Sequence, residues 1–241
     1  MDYSVFVRKV RNRVGKLLCR PIEVFVFHAV SDVYEESLTV REDWSSTDEF
    51  KKTMLLLKEE YQFISLERAY EMLKHDRVRA GNYAVLTCDD GFRSVLGILP
   101  FLEEQQVPVT IFVNSKYLDG KSIRSGYADS PQYLSEHDLW GITSQNVTVG
   151  MHGYEHNDAT SMTQEQFAES VDKCMDMLRK HPRYVPYYAY TWGRYSETTQ
   201  QVLREKGIVP VFTDGGSNHR YRQGIGRKCI DSYYYKKKMT V

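Results

Sequence analysis

Paired cysteines, long apolar runs and a net charge are all missing from this sequence of 241 residues. The four cysteines (Cys19, Cys88, Cys174 and Cys229) are widely spaced and form no C-x-x-C pair, which argues against a zinc ribbon, a redox motif or a dense disulfide scaffold. No apolar run approaches the roughly 20 residues that a membrane-spanning helix needs. Since 32 basic residues balance 32 acidic ones, we expect no nucleic-acid partner.

The first twenty residues have a basic amphipathic pattern rather than that of a secretory signal. Apolar residues recur at helical spacing from Tyr3 to Leu18, and basic residues fill the other face. Because this stretch lacks a continuous apolar core, we expect a cytoplasmic protein with reduced cysteines. A helix over residues 1–22 could pack on its own domain or lie peripherally at the inner face of an anionic membrane. Residues 23–241 are expected to form a single domain.

Strand and helix patterns alternate along the rest of the chain. The β-rich runs "EVFVFHAV", "YAVLTC" and "VPVTIFV" are separated by amphipathic stretches that begin with capping residues, among them Ser46 with Glu49, Ser65 and Ser135. Pro100 is expected to kink the helix over "SVLGILPFLEEQ". About seven alternations predict a parallel sheet, open or closed into a barrel, with its chemistry at the C-terminal ends of the strands.

Polar side chains collect where the predicted strands end. Asp89 and Asp90 follow "YAVLTC" as neighbours, a placement that on its own is typical of an Asp-Gly turn. His28 ends an earlier strand, as Asp214 ends a later one. The stretch "MHGYEH" then supplies two histidines with three residues between them, a spacing that places both imidazoles on one side, as metal ligation requires.

Two histidines and one aspartate form a ligand set that leaves coordination positions open for water and substrate. A cation held in this way lowers the pKa of its bound water and polarises a carbonyl oxygen. A second carboxylate beside the set, not ligating, would be placed to take the proton of the water. The two neighbouring aspartates are therefore expected to have separate roles, one as a ligand and the other as a base kept ionised by the cation.

The stretch "TCDDG", followed downstream by "HGYEH", resembles the first two motifs of the polysaccharide deacetylases. This carbohydrate esterase family (family four) includes chitin, peptidoglycan and nodulation-factor deacetylases. The resemblance runs from Glu23 to Arg227 and includes "FVFHAVSD" and "LSEHDLWGITSQNVTVGMHGYEH". It implies an α/β fold, a distorted and incomplete (β/α) barrel with about seven parallel strands. It also implies metal-dependent removal of N-acetyl groups from a carbohydrate substrate, an oligo- or polysaccharide that could be lipid-linked.

Carried over position by position, the resemblance makes Asp89 the general base and Asp90, His152 and His156 the metal ligands. These ligands suit zinc, the first expectation, and also cobalt, nickel or iron. The third motif of the family corresponds to "YAYTWG", in which the backbone N–H of Trp192 would help to hold the oxyanion. The substrate and oxyanion residues expected in this way are Gly91, Tyr190, Trp192, Gly193 and Arg227.

Three departures from the family pattern bear on the chemistry. Cys88 replaces a phenylalanine and is expected to pack in the sheet. Ala189 stands where many members carry an arginine that orients the base, and Arg227 is the expected substitute. No Leu-x-His follows the last strand to supply a general acid, so His28 is the first candidate for that role and His219 the weaker one.

Three functions stay open at this point. The leading one is metal-dependent de-N-acetylation of an amino-sugar-containing glycan or glycan precursor, on the route to a surface polysaccharide. The second is hydrolysis of a non-sugar amide on the same scaffold. The third is a catalytically impaired carbohydrate-binding relative, since the loss of a general acid typically costs about 10² to 10⁴ in rate.

Overall fold

The computed structural model describes residues 20–32, 44–75, 81–120, 133–213 and 218–230. Residues 1–19 of the predicted N-terminal helix lie outside these ranges, as does Asp214, so both stay predictions. Within these ranges, no helix is both long enough and apolar enough to cross a membrane.

Strands and helices alternate along the described residues, as the sequence pattern predicts. The strands are β1 (Glu23–Phe27), β2 (Ala29–Val30), β3 (Trp44–Ser45), β4 (Gln62–Phe63), β5 (Tyr83–Cys88), β6 (Val109–Val113), β7 (Val147–Met151), β8 (Tyr184–Ala189), β9 (Val209–Phe212), β10 (Ile225–Gly226) and β11 (Lys228–Cys229). The α-helices are α1 (Thr47–Glu60), α2 (Leu66–Lys74), α3 (Leu99–Glu104), α4 (Glu136–Trp140), α5 (Gln164–Leu178) and α6 (Glu197–Glu205). Short 3₁₀ helices span Arg93–Gly97, Ser115–Asp119, Ala159–Ser161 and Thr191–Gly193.

One sheet forms the barrel, and its two edges meet at a single extended segment, residues 225–229. The strand order is β10-β9-β8-β7-β6-β5-β1-β11, with all pairs parallel and the short β4 beside β5. Gly226 pairs with Phe212 of β9, and Lys228 pairs with Phe25 of β1. Arg227 is the one residue between the two halves of this segment. The barrel is therefore nearly closed, which confirms the predicted (β/α) barrel, with eight strands on the path rather than about seven.

The predicted caps begin the helices as expected. The Ser46 and Glu49 side chains form a capping box at α1, Ser65 caps α2, and Ser135 caps α4. The prediction that Pro100 kinks a helix is wrong. A 3₁₀ helix ends at Gly97 and α3 then begins, so that Pro100 lies in the first turn, where its missing N–H breaks no helical hydrogen bond.

Alternate residues of the barrel strands enter two separate clusters, because successive side chains of a strand point to opposite faces. One cluster joins Leu86 and Ile111 to the buried faces of α1 and α5, including Phe50 and Phe167. The other joins strand residues such as Phe112 to the buried face of α2. Packing on both faces fixes the strands, and with them the positions at which the strands end.

Candidate active site

The predicted site residues lie at the C-terminal ends of neighbouring strands. Asp89 and Asp90 follow β5, His152 follows β7, and His28 follows β1. Backbone hydrogen bonds hold these ends to the adjacent strands. The Asp89 N–H donates to the Phe27 carbonyl at 3.0 Å, and the His152 N–H donates to the Val113 carbonyl at 2.9 Å.

The chain turns sharply directly after β5. Asp90 has φ of 68° and Gly91 has φ of 72°, so two successive residues are left-handed. Aspartate enters this region more readily than most residues, and glycine enters it at no steric cost. A Cβ on Gly91 would also lie 3.0 Å from Cγ1 of Val113. Gly91, predicted among the substrate and oxyanion residues, thus has a clear conformational role in placing Asp90.

Asp90 meets both histidines of the second motif. Its Oδ1 lies 3.2 Å from Nε2 of His152 and 3.1 Å from Nε2 of His156. All three ligand atoms lie within 4.8 Å of one another, and the three side chains are buried. Burial alone would raise the pKa of Asp90, but hydrogen bonds from the two imidazoles hold that pKa well below its ordinary value.

This donor set fits a divalent cation. Two ligands bound to a tetrahedral zinc ion at about 2.0–2.1 Å lie about 3.3 Å from each other. The observed separations between the carboxylate oxygen and each imidazole nitrogen are within a few tenths of an ångström of that value. The same two nitrogens and one oxygen also suit cobalt, nickel and iron.

The second ring nitrogen of His152 has a fixed partner. Nδ1 lies 2.9 Å from the carbonyl oxygen of Ala189. Because a carbonyl can only accept, Nδ1 carries a hydrogen, which leaves Nε2 as the nitrogen that would bind a cation on the Asp90 side. Asn114 donates from Nδ2 to the His152 carbonyl at 2.6 Å and holds the backbone of the same residue. Sequence reasoning missed both contacts, since a backbone carbonyl and a single asparagine amide give no recognisable signal in the sequence.

Asp89 has a different partner from its neighbour. Arg227 donates from Nη1 to Oδ1 at 2.6 Å and from Nη2 to Oδ2 at 2.7 Å. Burial alone would raise the pKa of Asp89, but the charge and hydrogen bonds of Arg227 lower it. The nearer Asp89 oxygen is 4.0 Å from Nε2 of His152. Asp89 therefore stands beside the ligand set as a carboxylate that is ionised and held in place.

The contact with Asp89 corrects one expectation for Arg227 and agrees with another. Arg227 is completely buried, so it cannot touch a substrate as its place among the substrate and oxyanion residues requires. Its two-point contact with Asp89 is instead the arrangement expected of an arginine that replaces the one absent at Ala189.

Cys88 is buried in the core and has a free thiol, as predicted for a packing residue.

The two candidates for the general acid lie at different ends of the barrel. His28 is half-buried at the end of β1, and its charge contributes to the lowered pKa of Asp89. His219 is exposed and follows Asn218, whose carbonyl accepts the N–H of Ile22 at the start of β1. His219 is therefore wrong as a candidate, because the opposite end of the strands carries the site.

The third motif contributes one exposed side chain. Trp192 is 56% exposed, and its ring meets that of His156 edge to face with centroids 4.8 Å apart. Its φ of 58° is unusual for a bulky residue, and such strain is concentrated at functional sites. Gly193 follows with φ of 64°, and a Cβ there would lie 3.1 Å from the Thr213 carbonyl oxygen.

Tyr190 does not reach the site as predicted. Its side chain is only 1% exposed and stacks between the rings of Phe167 and Phe212. Strand alternation explains the error, because Tyr188 and Tyr190 point to the helices while Ala189 between them points the other way.

Comparisons with known proteins agree with this geometry. A sequence model of the family described as "Polysaccharide deacetylase" matches residues 76–211. Among solved structures, IcaB from Ammonifex degensii has a TM-score of 0.75 at 20% identity, over 92% of this chain and 96% of that one. The deacetylase PplD of Streptococcus pyogenes has the same score and identity over 88% and 92%.

A third similar structure is BC0361, a polysaccharide deacetylase from Bacillus cereus. It has a TM-score of 0.72 at 17% identity, over 88% of this chain and 65% of that one. No curated protein sequence matches the chain significantly. At these identities the structures show the fold, whereas the family match spans more than half of the 241 residues. The chain therefore belongs to the polysaccharide deacetylase family and is a hydrolase of that kind.

Proposed function

We propose that this protein is a metal-dependent hydrolase that removes N-acetyl groups from an amino-sugar-containing glycan or glycan precursor. The observation that carries the proposal is the separate placement of two adjacent aspartates. Asp90 lies against two imidazole nitrogens, and Asp89 lies against a guanidinium. One carboxylate is thus available as a metal ligand and the other as a base.

A divalent cation held by Asp90, His152 and His156 would polarise the acetamide carbonyl and acidify a water molecule. Asp89 would take a proton from the attacking water as the oxygen of that water bonds to the acetamide carbon. Arg227 holds the Asp89 carboxylate in one orientation throughout. Breakage of the C–N bond then gives acetate and the free amine of the sugar.

The leaving amine needs a proton, and His28 is the candidate that supplies it. Its position after β1, the neighbour of β5, places it on the same rim as Asp89. The backbone N–H of Trp192, in the loop beside His156, is the candidate donor to the oxygen that gains negative charge.

Trp192 also supports a sugar as substrate. An exposed indole beside the ligand set offers an aromatic face to a pyranose ring, whereas a small non-sugar amide would not need one. The similar deacetylase PplD is solved in complex with acetate. Acetate is one of the two products of the reaction proposed for this chain.

The cytoplasmic, membrane-associated part of the proposal rests on the sequence of residues 1–20 alone. Their basic amphipathic pattern fits an anionic membrane surface and hence a lipid-linked saccharide at its cytoplasmic face, on the route to a surface polysaccharide. Deleting residues 1–20 is expected to abolish sedimentation with anionic vesicles, with neutral vesicles as the control. Unchanged sedimentation would contradict this part.

A substrate panel tests the activity itself. Acetate release from N-acetylated oligosaccharides, dependent on added zinc or cobalt, is the expected result. Activity on small non-sugar amides alone would favour the second function. Glycan binding without acetate release from any glycan would favour a non-catalytic relative.

A further inference from the structure

The guanidinium that holds the base is itself held on both sides by threonine hydroxyls. Arg227 donates from Nη1 to Oγ1 of Thr87 at 3.1 Å and from Nη2 to Oγ1 of Thr213 at 3.0 Å. Each terminal nitrogen of Arg227 therefore bonds one carboxylate oxygen of Asp89 and one hydroxyl oxygen.

The directions of these bonds follow from chemistry. A guanidinium has donors only, so both threonine oxygens accept from it. The Thr87 hydroxyl in turn donates a hydrogen bond to the carbonyl oxygen of Phe25 at 2.9 Å. The Thr87 hydroxyl is thus fixed as a link between β1 and the guanidinium.

Apart from the Asp89 carboxylate itself, the two threonine hydroxyls are the hydrogen-bond partners among the described residues that fix the plane of the guanidinium. Nε of Arg227 is buried and has no hydrogen-bond partner among the described residues. The centroid of the Phe112 ring lies 5.4 Å from the guanidinium carbon, and an aromatic ring offers the guanidinium no directional hydrogen bond in its own plane. A planar fork binds a carboxylate at two points only when the two planes are aligned.

Thr213 also packs against the loop that carries the candidate oxyanion donor. A Cβ placed on Gly193 would lie 3.1 Å from the carbonyl oxygen of Thr213 and 3.3 Å from its Cβ. Gly193 follows Trp192, whose N–H is the candidate oxyanion donor. The loop that carries this donor thus rests on the backbone of Thr213, and the Thr213 hydroxyl faces the arginine that holds the base.

We propose that Thr213 is a positioning residue, assisted by Thr87, that acts through Arg227 to align the Asp89 carboxylate and that sets the Trp192–Gly193 loop relative to it. This inference rests on the proposed role of Asp89 as the base. In this role Thr213 does not contact the substrate. It determines the position of the Asp89 carboxylate.

Thr213→Val removes the hydroxyl and keeps the shape of the side chain. We expect kcat for acetate release to fall about tenfold, with KM within about twofold of wild type and metal content unchanged. Thr213→Ser should restore most of the rate. The matched control is Thr148→Val, whose hydroxyl pairs with that of Thr110 at 2.9 Å on the adjoining strands β6 and β7.

Action through Arg227 predicts non-additive effects. In an Arg227→Lys background, Thr213→Val should cause no further loss of kcat, because the fork that it aligns is already gone. Equal fold losses in both backgrounds, failure of Thr213→Ser to restore the rate, or an equal loss in Thr148→Val would overturn the proposal.

A readout without substrate separates this inference from the proposed function. A crystal structure of Thr213→Val is expected to show the Arg227–Asp89 contact reduced from two points to one. Retention of both contacts at their present lengths would overturn the inference whatever the activity. Absence of acetate release from the wild-type protein would instead contradict the proposed function.

Discussion

Arg227 donates hydrogen bonds to both carboxylate oxygens of Asp89, at 2.6 and 2.7 Å, although it lies 138 residues further along the chain. Arg227 is also the residue at which the barrel nearly closes, between the halves that pair with β9 and β1. The strand pairing that nearly closes the barrel therefore also places Arg227 beside Asp89, the proposed base.

Two replacements of Arg227 should separate the effect of its positive charge from the effect of its planar, two-point geometry. Arg227→Met leaves the buried Asp89 without its guanidinium and is expected to destabilise the fold by about 3–5 kcal/mol. Arg227→Lys keeps a positive charge but loses the planar fork, so kcat should fall by about tenfold or more with a smaller loss of stability. Urea unfolding and acetate release measure the two effects. Equal stability and activity in all three proteins would contradict the assigned contact.

Metal removal should abolish activity and lower the melting temperature. A cation that binds only the folded chain raises stability by about 2.7 kcal/mol at a free concentration of 100 times its Kd. Zinc or cobalt should restore both properties in the chelated wild-type protein. Asp90→Asn and His156→Ala should lose the thermal shift caused by zinc.

The control for the metal experiment is Asp172→Asn. Asp172 pairs with Lys206 at 2.6 Å on the helical surface and belongs to no candidate ligand set in the described part of the chain. It should keep the full thermal shift. A zinc-induced shift that persists in Asp90→Asn would contradict the ligand assignment.

Substitution of His28 should have an effect that depends on the leaving group. If His28 supplies the proton to the amine, His28→Gln is expected to lower the rate on an N-acetylated sugar by about 10² or more. The loss on an acetanilide with a good leaving group should be much smaller, because that amine departs without a proton. Equal losses on both substrates would remove His28 from this role.

Trp192 should matter for sugar binding more than for the metal. Trp192→Ala is expected to raise KM for N-acetylated oligosaccharides by about tenfold while metal content is unchanged. Trp140→Ala is the matched control, since Trp140 is 41% exposed and contacts His181 rather than a candidate ligand. An unchanged KM in Trp192→Ala would contradict the stacking role.

Much of the fold was predictable because its signals are local. Strand runs, capping boxes such as Ser46 with Glu49, and the spacing of His152 and His156 depend on residues close together in sequence. The motifs also predicted the cluster of Asp90 with both histidines, which parallel strands bring to one rim.

The remaining parts depend on side-chain direction and on long-range register. Tyr190 was misplaced because a motif position does not state which face of the strand a residue uses. Pro100 was misjudged because the preceding 3₁₀ helix moves it into a first helical turn. The hydroxyl of Thr213 meets Arg227 only because β10 pairs with β9, a register that no local pattern contains.

The most direct test of the account is metal content together with acetate release for wild type and Asp89→Asn. The assignment predicts that Asp89→Asn binds metal as wild type does, because Asp89 lies outside the ligand set, and that its rate falls by about 10² to 10⁴. An Asp89→Asn protein that keeps its metal and full activity would show that Asp89 is not the base.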